Sequence, residues 1–90
     1  MRIEFDPDKD AINQKKHGVS LSAAENFDWG GALYYLDQRN RYGEWRIIAV
    51  GFVWDRLYYM VFTDRCGVPR IISLRKANSK EIQEYERRKH

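Results

Sequence analysis

Cationic side chains are concentrated on the segment from Pro69 to Ala77, which is predicted to form a β-strand. Arg70, Arg75 and Lys76 lie within this strand or at its end. A guanidinium group is costly to remove from water, so such a cluster normally faces solvent, a paired carboxylate or a phosphate. The segment therefore indicates a sheet surface that meets an anionic polymer.

An anionic polymer can be a nucleic acid, and RNA cleavage is one reaction on such a polymer that arginine side chains can assist. The 2′-OH of RNA is the nucleophile, so a protein must accept its proton, stabilise the charged phosphorane and protonate the leaving 5′-oxygen. Arginine suits the second task, because its planar fork matches phosphate oxygens and stays charged. The arginines on or beside predicted strands are Arg46, Arg65, Arg70 and Arg75. Each of them could instead be a surface or salt-bridged side chain.

Alternation along the last strand predicts which of its side chains share a face. Ser73 and Arg75 fall on one face, and Ile72 and Leu74 fall on the other. The second pair is the better core pair, so Arg75 is expected to project from a face that no helix covers. Arg65 ends the preceding strand and is expected to converge on the same point.

A proton acceptor has two candidates. Glu44 lies two residues before Arg46, and a carboxylate beside an arginine stays ionised, as a base or as a structural ion pair. His17 is the only internal histidine, and its usual pKa suits acid–base chemistry near neutrality. It could equally be a helix C-terminal residue that complements the helix dipole. Three lysines are candidate phosphate contacts or ordinary solvated side chains: Lys15, Lys16 and Lys76.

The composition is that of a globular protein, with 43% hydrophobic and 14% aromatic residues in a chain of 90. This length predicts a single domain over residues 1–90. The net charge of +3 is uneven, since residues 1–64 carry 8 Lys/Arg and 10 Asp/Glu whereas residues 65–90 carry 8 and 3. A basic C-terminal third fits nucleic acid or an acidic partner, or simply a solvated basic helix end.

Cofactor and membrane signals are weak or missing in the sequence. The single cysteine, Cys66, allows no internal disulfide or cysteine-pair metal site, which favours a reducing cytoplasm. Asp6, Asp8 and Asp10 have the spacing of a calcium loop but lack its later glycine and glutamate, so we expect first-turn helix acids. No secretory or membrane-spanning segment is predicted, and neither a metal nor a cofactor is expected.

The predicted elements give an α+β fold of two layers. The first part of the chain is predicted to form a short strand at Ile3 and Phe5, a helix from Asp6-Pro7 to about His17, and a short helix that begins at Val19-Ser20. Four strands follow, at residues 33–36, 45–53, 57–63 and 70–76. A closing helix is capped by Asn78 or Ser79. A polar connection from Asp37 to Gly43 joins the first two of the four strands. The four strands are predicted to form an antiparallel meander, with helices on one face only.

The chain resembles the BrnT toxin family of bacterial toxin–antitoxin systems over nearly its whole length. The motifs that carry the resemblance are Phe5-Asp6-Pro7, Asn13, Lys16-His17-Gly18-Val19-Ser20, Glu44-x-Arg46, Gly51, Thr63-x-Arg65 and Arg70-Ile71-Ile72-Ser73-x-Arg75-Lys76-Ala77. Leu21-Ser22-Ala23 departs from the family pattern, which more often has acids at the start of the second helix.

The resemblance implies a RelE-like fold and a metal-independent endoribonuclease that inhibits translation. It also implies a BrnA-like antitoxin with a ribbon-helix-helix domain, through which the pair would bind operator DNA and repress its own operon. The predicted catalytic residues are Arg75, Arg65, Arg46, Glu44 and His17, and the predicted RNA-binding residues are Lys76, Arg70, Lys16 and Lys15. The alternatives are a non-catalytic partner of a DNA-binding antitoxin and an RNA-binding domain that does not cleave.

Overall fold

The computed structural model describes residues 2–38 and 43–89, which form a mixed α+β fold. In chain order the elements are β1 (Glu4–Phe5), α1 (Pro7–His17), a 3₁₀ helix (Leu21–Asn26), β2 (Leu33–Leu36), β3 (Ile47–Val53), β4 (Arg56–Arg65), β5 (Val68–Lys76) and α2 (Ser79–Lys89). Residues 39–42 of the predicted polar connection lie outside the described residues. Within the described ranges, neither helix is long and apolar enough to cross a membrane.

The sheet has five strands in the order β1-β5-β4-β3-β2. Strands β2 to β5 each pair antiparallel with their neighbour in sequence. The short first strand adds parallel to β5, with Glu4 opposite Arg70. As a result, the short strand β1 and the basic strand β5 lie side by side at one edge of the sheet.

Local sequence signals set the helix ends where they were predicted. The Asp6 carboxylate accepts a hydrogen bond from the Asp8 N–H at 2.9 Å, and Gly18 ends α1 in the left-handed conformation with φ of 71°. Asn78 and Glu81 form a reciprocal capping box at the start of α2, with bonds of 2.8 and 2.9 Å. The second predicted helix is a 3₁₀ helix, capped by Ser20.

One sheet face, the α1 face, packs against α1 and the 3₁₀ helix. Its core includes Leu21 and Phe27 from the helical side and Met60 and Leu74 from the sheet. Gly51 allows this packing, because a Cβ atom at that position would lie 2.7 Å from the Phe27 ring. Side chains larger than hydrogen are therefore excluded from this point of β3.

The opposite face, the α2 face, is covered in part by α2, so the expectation that helices cover only one face is wrong. Ile82 and Tyr85 of α2 pack on a buried cluster that includes Val50 and Leu57. The Tyr85 hydroxyl also donates a hydrogen bond of 2.9 Å to the carbonyl of Gly31. No residue of α2 is itself buried, so the helix rests on the sheet rather than being embedded in it.

A β-bulge at Ile72 corrects the predicted facing of β5. Val61 pairs with Ser73 while the next residue of β4 pairs with Ile71, which leaves Ile72 as the extra residue. Ile71 and Leu74 therefore share the α1 face, and Ile72 packs with the cluster on the α2 face. The expectation that Ile72 and Leu74 share a face is wrong, because one extra residue reverses the alternation.

The outer edge of β5 is closed by a side chain of α1. The Asn13 amide donates to the carbonyl of Leu74 at 2.7 Å and to that of Val19 at 2.9 Å. Its oxygen accepts from the Leu74 N–H at 3.1 Å. Asn13 is only 4% exposed and does for Leu74 what a neighbouring strand would do.

Candidate active site

Arg75 lies near the end of β5, on the α2 face, opposite Tyr59 of β4. Its guanidinium carbon is 4.1 Å from the centre of the Tyr59 ring, and its two terminal nitrogens each donate to one Glu81 oxygen at 2.8 Å. The prediction that Arg75 projects from an uncovered face is therefore wrong, since the first turn of α2 supplies its partner. The guanidinium is held in the two-point geometry that also suits phosphate.

Glu81 is fixed in place by the capping box of α2. Its Oε1 atom accepts from the Asn78 N–H as well as from Arg75. Burial alone would raise the pKa of Glu81, but the hydrogen bonds from Arg75 and Asn78 outweigh it and lower the pKa below the usual range. The carboxylate is thus anionic at neutral pH and occupies the position that a phosphate oxygen pair would take.

His17 and Lys16 end α1 close to the Arg75 side chain. Both line a groove between α1 and β5, together with Ser73, which precedes Arg75 by two residues on the same strand face. Burial, and then the positive charges of Lys16 and Arg75, lower the pKa of His17. The imidazole is therefore a neutral group in a positive field near pH 7, able to accept a proton.

Two of the predicted RNA-binding lysines do not join this group. Lys76 pairs with Tyr58, so its side chain leaves β5 on the face opposite to Arg75. Lys15 is exposed in the last turn of α1 and does not line the groove that contains Lys16. Both lysines are adjacent in sequence to site residues, but their side chains leave the strand or helix in a different direction.

Three of the remaining predicted site residues, Glu44, Arg46 and Arg65, form a second group at the other end of the sheet. The Glu44 carboxylate lies 3.8 Å from the Arg46 guanidinium and 3.7 Å from that of Arg65. Glu44 and Arg46 therefore lie beside each other, as expected. Arg70 pairs with Glu4 at 3.5 Å, opposite Thr63.

The expected convergence of Arg65 and Arg75 is wrong. Arg75 is opposite Tyr59, and Arg65 follows Tyr59 by six residues on an extended strand, which is about 20 Å. Two groups this far apart cannot both contact one phosphodiester at the moment of cleavage. One end can hold the reacting phosphate, and the other can contact only a different part of a bound partner.

Sequence reasoning missed Glu81 and Tyr59 as the immediate neighbours of Arg75. The capping-box spacing of Asn78 and Glu81 was recognised, but that signal predicts only a helix end. It does not predict that the same carboxylate binds an arginine from the preceding strand. Among residues 2–38 and 43–89, no three His, Cys, Asp or Glu side chains are grouped in a way that could hold a metal ion.

The chain matches a known protein family and is similar in fold to a solved structure. The family model for the ribonuclease toxin BrnT of type II toxin–antitoxin systems matches residues 5–81, which include both groups of charged residues. The crystal structure of the Brucella abortus ribonuclease toxin BrnT is similar in fold, with a TM-score of 0.69 and 23% sequence identity. The alignment covers 88% of this chain and 99% of that one. No match was found among curated proteins.

Proposed function

Since the chain belongs to the BrnT family of ribonuclease toxins of type II toxin–antitoxin systems, we propose that it is an endoribonuclease that needs no metal and inhibits translation. A BrnA-like ribbon-helix-helix antitoxin neutralises it in the cytoplasm, and the pair represses its own operon by binding operator DNA. The fold in this proposal is RelE-like.

The cleavage centre in this proposal is the Arg75 end of the sheet. The observation that carries it is the convergence of Arg75, Ser73, Lys16 and His17 where α1 meets β5. This end offers an arginine fork for phosphate and an imidazole for proton transfer, and His17 is the only histidine among the described residues. The Glu44–Arg46–Arg65 group offers charge but no imidazole, so it contacts RNA or the antitoxin away from the reacting phosphate.

The reaction in this proposal uses the nucleophile of the RNA itself. The 2′-oxygen attacks the adjacent phosphorus and loses its proton, the P–O5′ bond breaks, and the 5′-oxygen gains a proton. The products are a 2′,3′-cyclic phosphate and a 5′-hydroxyl. Arg75 binds the two non-bridging oxygens and stabilises the charge that builds up on them, and His17 accepts or donates a proton next to them.

The alternative function is a non-catalytic partner of a DNA-binding antitoxin, which acts in transcriptional control only. Induced expression of the chain in bacteria without its antitoxin separates the two. An RNA-cleaving toxin arrests growth, and relief of the arrest by coexpression of a ribbon-helix-helix partner supports the antitoxin assignment. Undisturbed growth with the folded chain present would favour the alternative.

Glu81 competes with RNA for Arg75 in this proposal, which gives a testable prediction. Glu81→Gln keeps the side-chain oxygen that caps α2 but removes the negative charge. We expect the variant to bind a non-cleavable, fully 2′-O-methylated RNA roughly tenfold more tightly, which is ~1.4 kcal/mol, close to the lower end of the contribution of a hydrogen bond to a charged group. Fluorescence anisotropy measures the dissociation constants.

Glu84→Gln is the matched control for this experiment. Glu84 lies on the same helix but pairs with Arg87 and Arg88 instead of Arg75. Its loss of charge has the same long-range effect on a polyanion without uncovering the guanidinium of Arg75. Equal gains in affinity for both variants would show that Glu81 does not compete with RNA.

A further inference from the structure

The groove between α1 and β5 gathers cations and a hydroxyl without any acid. Lys9, Lys16 and His17 line it from α1, and Ile72 and Ser73 line it from β5. Lys9 and Lys16 are seven residues apart, so they lie on one helix face about 10 Å apart along the axis. The groove has a volume of about 150 Å³. That volume accommodates several water molecules or a tetrahedral anion.

The cations of the groove differ from the arginines of the sheet in their partners. Arg46, Arg65, Arg70 and Arg75 each have a glutamate within 4.0 Å. Within residues 2–38 and 43–89, by contrast, Lys9, Lys16 and His17 form no ion pair and no side-chain hydrogen bond. The charges of Lys9 and Lys16 are therefore not neutralised by this part of the chain, so an anion that enters the groove displaces no internal partner.

The helix dipole explains only part of this arrangement. Lys16 and His17 are in the last turn of α1, where positive charge is favourable. Lys9 is in the first turn, where the dipole disfavours a cation. The dipole therefore does not account for Lys9, whose exposed ammonium group lies on the groove face and is available to an anion that also contacts Lys16.

We propose that this groove binds a phosphodiester of single-stranded RNA, next to the one that Arg75 contacts. The proposal rests on the proposed ribonuclease function and names the second phosphate site of the same surface. Ser73 and Arg75 lie on the same face of β5, two residues or about 7 Å apart. The groove therefore opens directly onto the guanidinium, and the Ser73 hydroxyl lies between the two phosphates.

The test compares the Lys9→Gln/Lys16→Gln double variant with Lys15→Gln and the wild type. Lys15 is adjacent to Lys16 in the same helix turn but lies outside the groove. Inorganic phosphate is titrated first, with the His17 ring proton followed by NMR. We expect saturable binding that raises the pKa of His17 in the wild type and in Lys15→Gln, and no such change in the double variant.

The second measurement uses a 2′-O-methylated RNA strand, which the protein cannot cleave. The double variant is expected to bind it at least tenfold more weakly and to lower the slope of log Kd against log salt by about 0.7, the value for one phosphate contact on a single strand. Lys15→Gln should stay within about twofold of the wild type. Equal behaviour of the double variant and Lys15→Gln would overturn the proposal.

The outcomes separate this site from the proposed activity. Binding of RNA through the groove by a protein that never cleaves supports the site and removes the ribonuclease function. Cleavage that the double variant retains in full, with unchanged RNA affinity, removes the site and leaves the function. Saturable binding of inorganic phosphate without any effect of the double variant on RNA affinity would show a site for free phosphate and overturn the RNA assignment.

Discussion

Alanine in place of Arg75 is expected to lower the rate of RNA cleavage about 10²–10³-fold, the usual loss when one preorganised charge-stabilising donor is removed. The reason is that Tyr59 supports the guanidinium, whose two terminal nitrogens bind two phosphate oxygens once the RNA displaces Glu81. The rate is measured from time courses on end-labelled RNA at saturating protein. Circular dichroism and the unfolding midpoint check that the variant is folded.

Arg65→Ala is the matched control for Arg75→Ala. It removes the same charge about 20 Å away, at the other end of the α2 face. We expect weaker RNA binding and a rate at saturation within about tenfold of the wild type, because a distant contact contributes to binding but not to the chemical step. A loss of rate that is larger for Arg65→Ala than for Arg75→Ala would move the cleavage centre to the Glu44–Arg46–Arg65 group.

Alanine in place of Asn13 is expected to lower the free energy of unfolding by about 3 kcal/mol or more. The variant leaves both backbone groups of Leu74 and the carbonyl of Val19 without the partners they have in the native chain. Asn13 is buried, and each buried polar group without a partner costs about 1–3 kcal/mol. Urea unfolding followed by tryptophan fluorescence gives this free energy.

Gln14→Ala is the matched control, because it also removes a carboxamide side chain from α1. Gln14 follows Asn13 but is exposed, and its amide donates only to the half-buried Asp10 carboxylate. We expect a change within about 0.5 kcal/mol. If the two variants unfold at free energies within about 1 kcal/mol of each other, the closing of the β5 edge by Asn13 does not stabilise the fold as argued.

Elements with local signals were predictable from the sequence. The Asp6 cap, the left-handed Gly18 and the Asn78–Glu81 box each depend on residues within a few positions of one another. The α+β class followed from the same local patterns. The role of Asn13 did not, because its partner Leu74 is 61 residues away in sequence and no periodicity relates the two.

The candidate site was predictable in composition but not in arrangement. The sequence proposed Arg75, His17 and Lys16 as site residues without saying which of them lie together, whereas Arg65 was expected beside Arg75 and lies elsewhere. The bulge at Ile72 determines which side chains of β5 lie on each face of the sheet, and no residue type in the strand predicts that bulge. The path of α2 across the second face then set the partner of Arg75, and that path is a property of tertiary packing.

The central claim is that this chain cleaves RNA through the 2′-OH, without a metal. The most direct test incubates the purified chain, separated from its antitoxin, with end-labelled RNA in EDTA and identifies the new ends. We predict 2′,3′-cyclic phosphate and 5′-hydroxyl ends from the wild type, and almost none from Arg75→Ala in the same time. Cleavage that EDTA abolishes, or that yields 5′-phosphate ends, would contradict the claim.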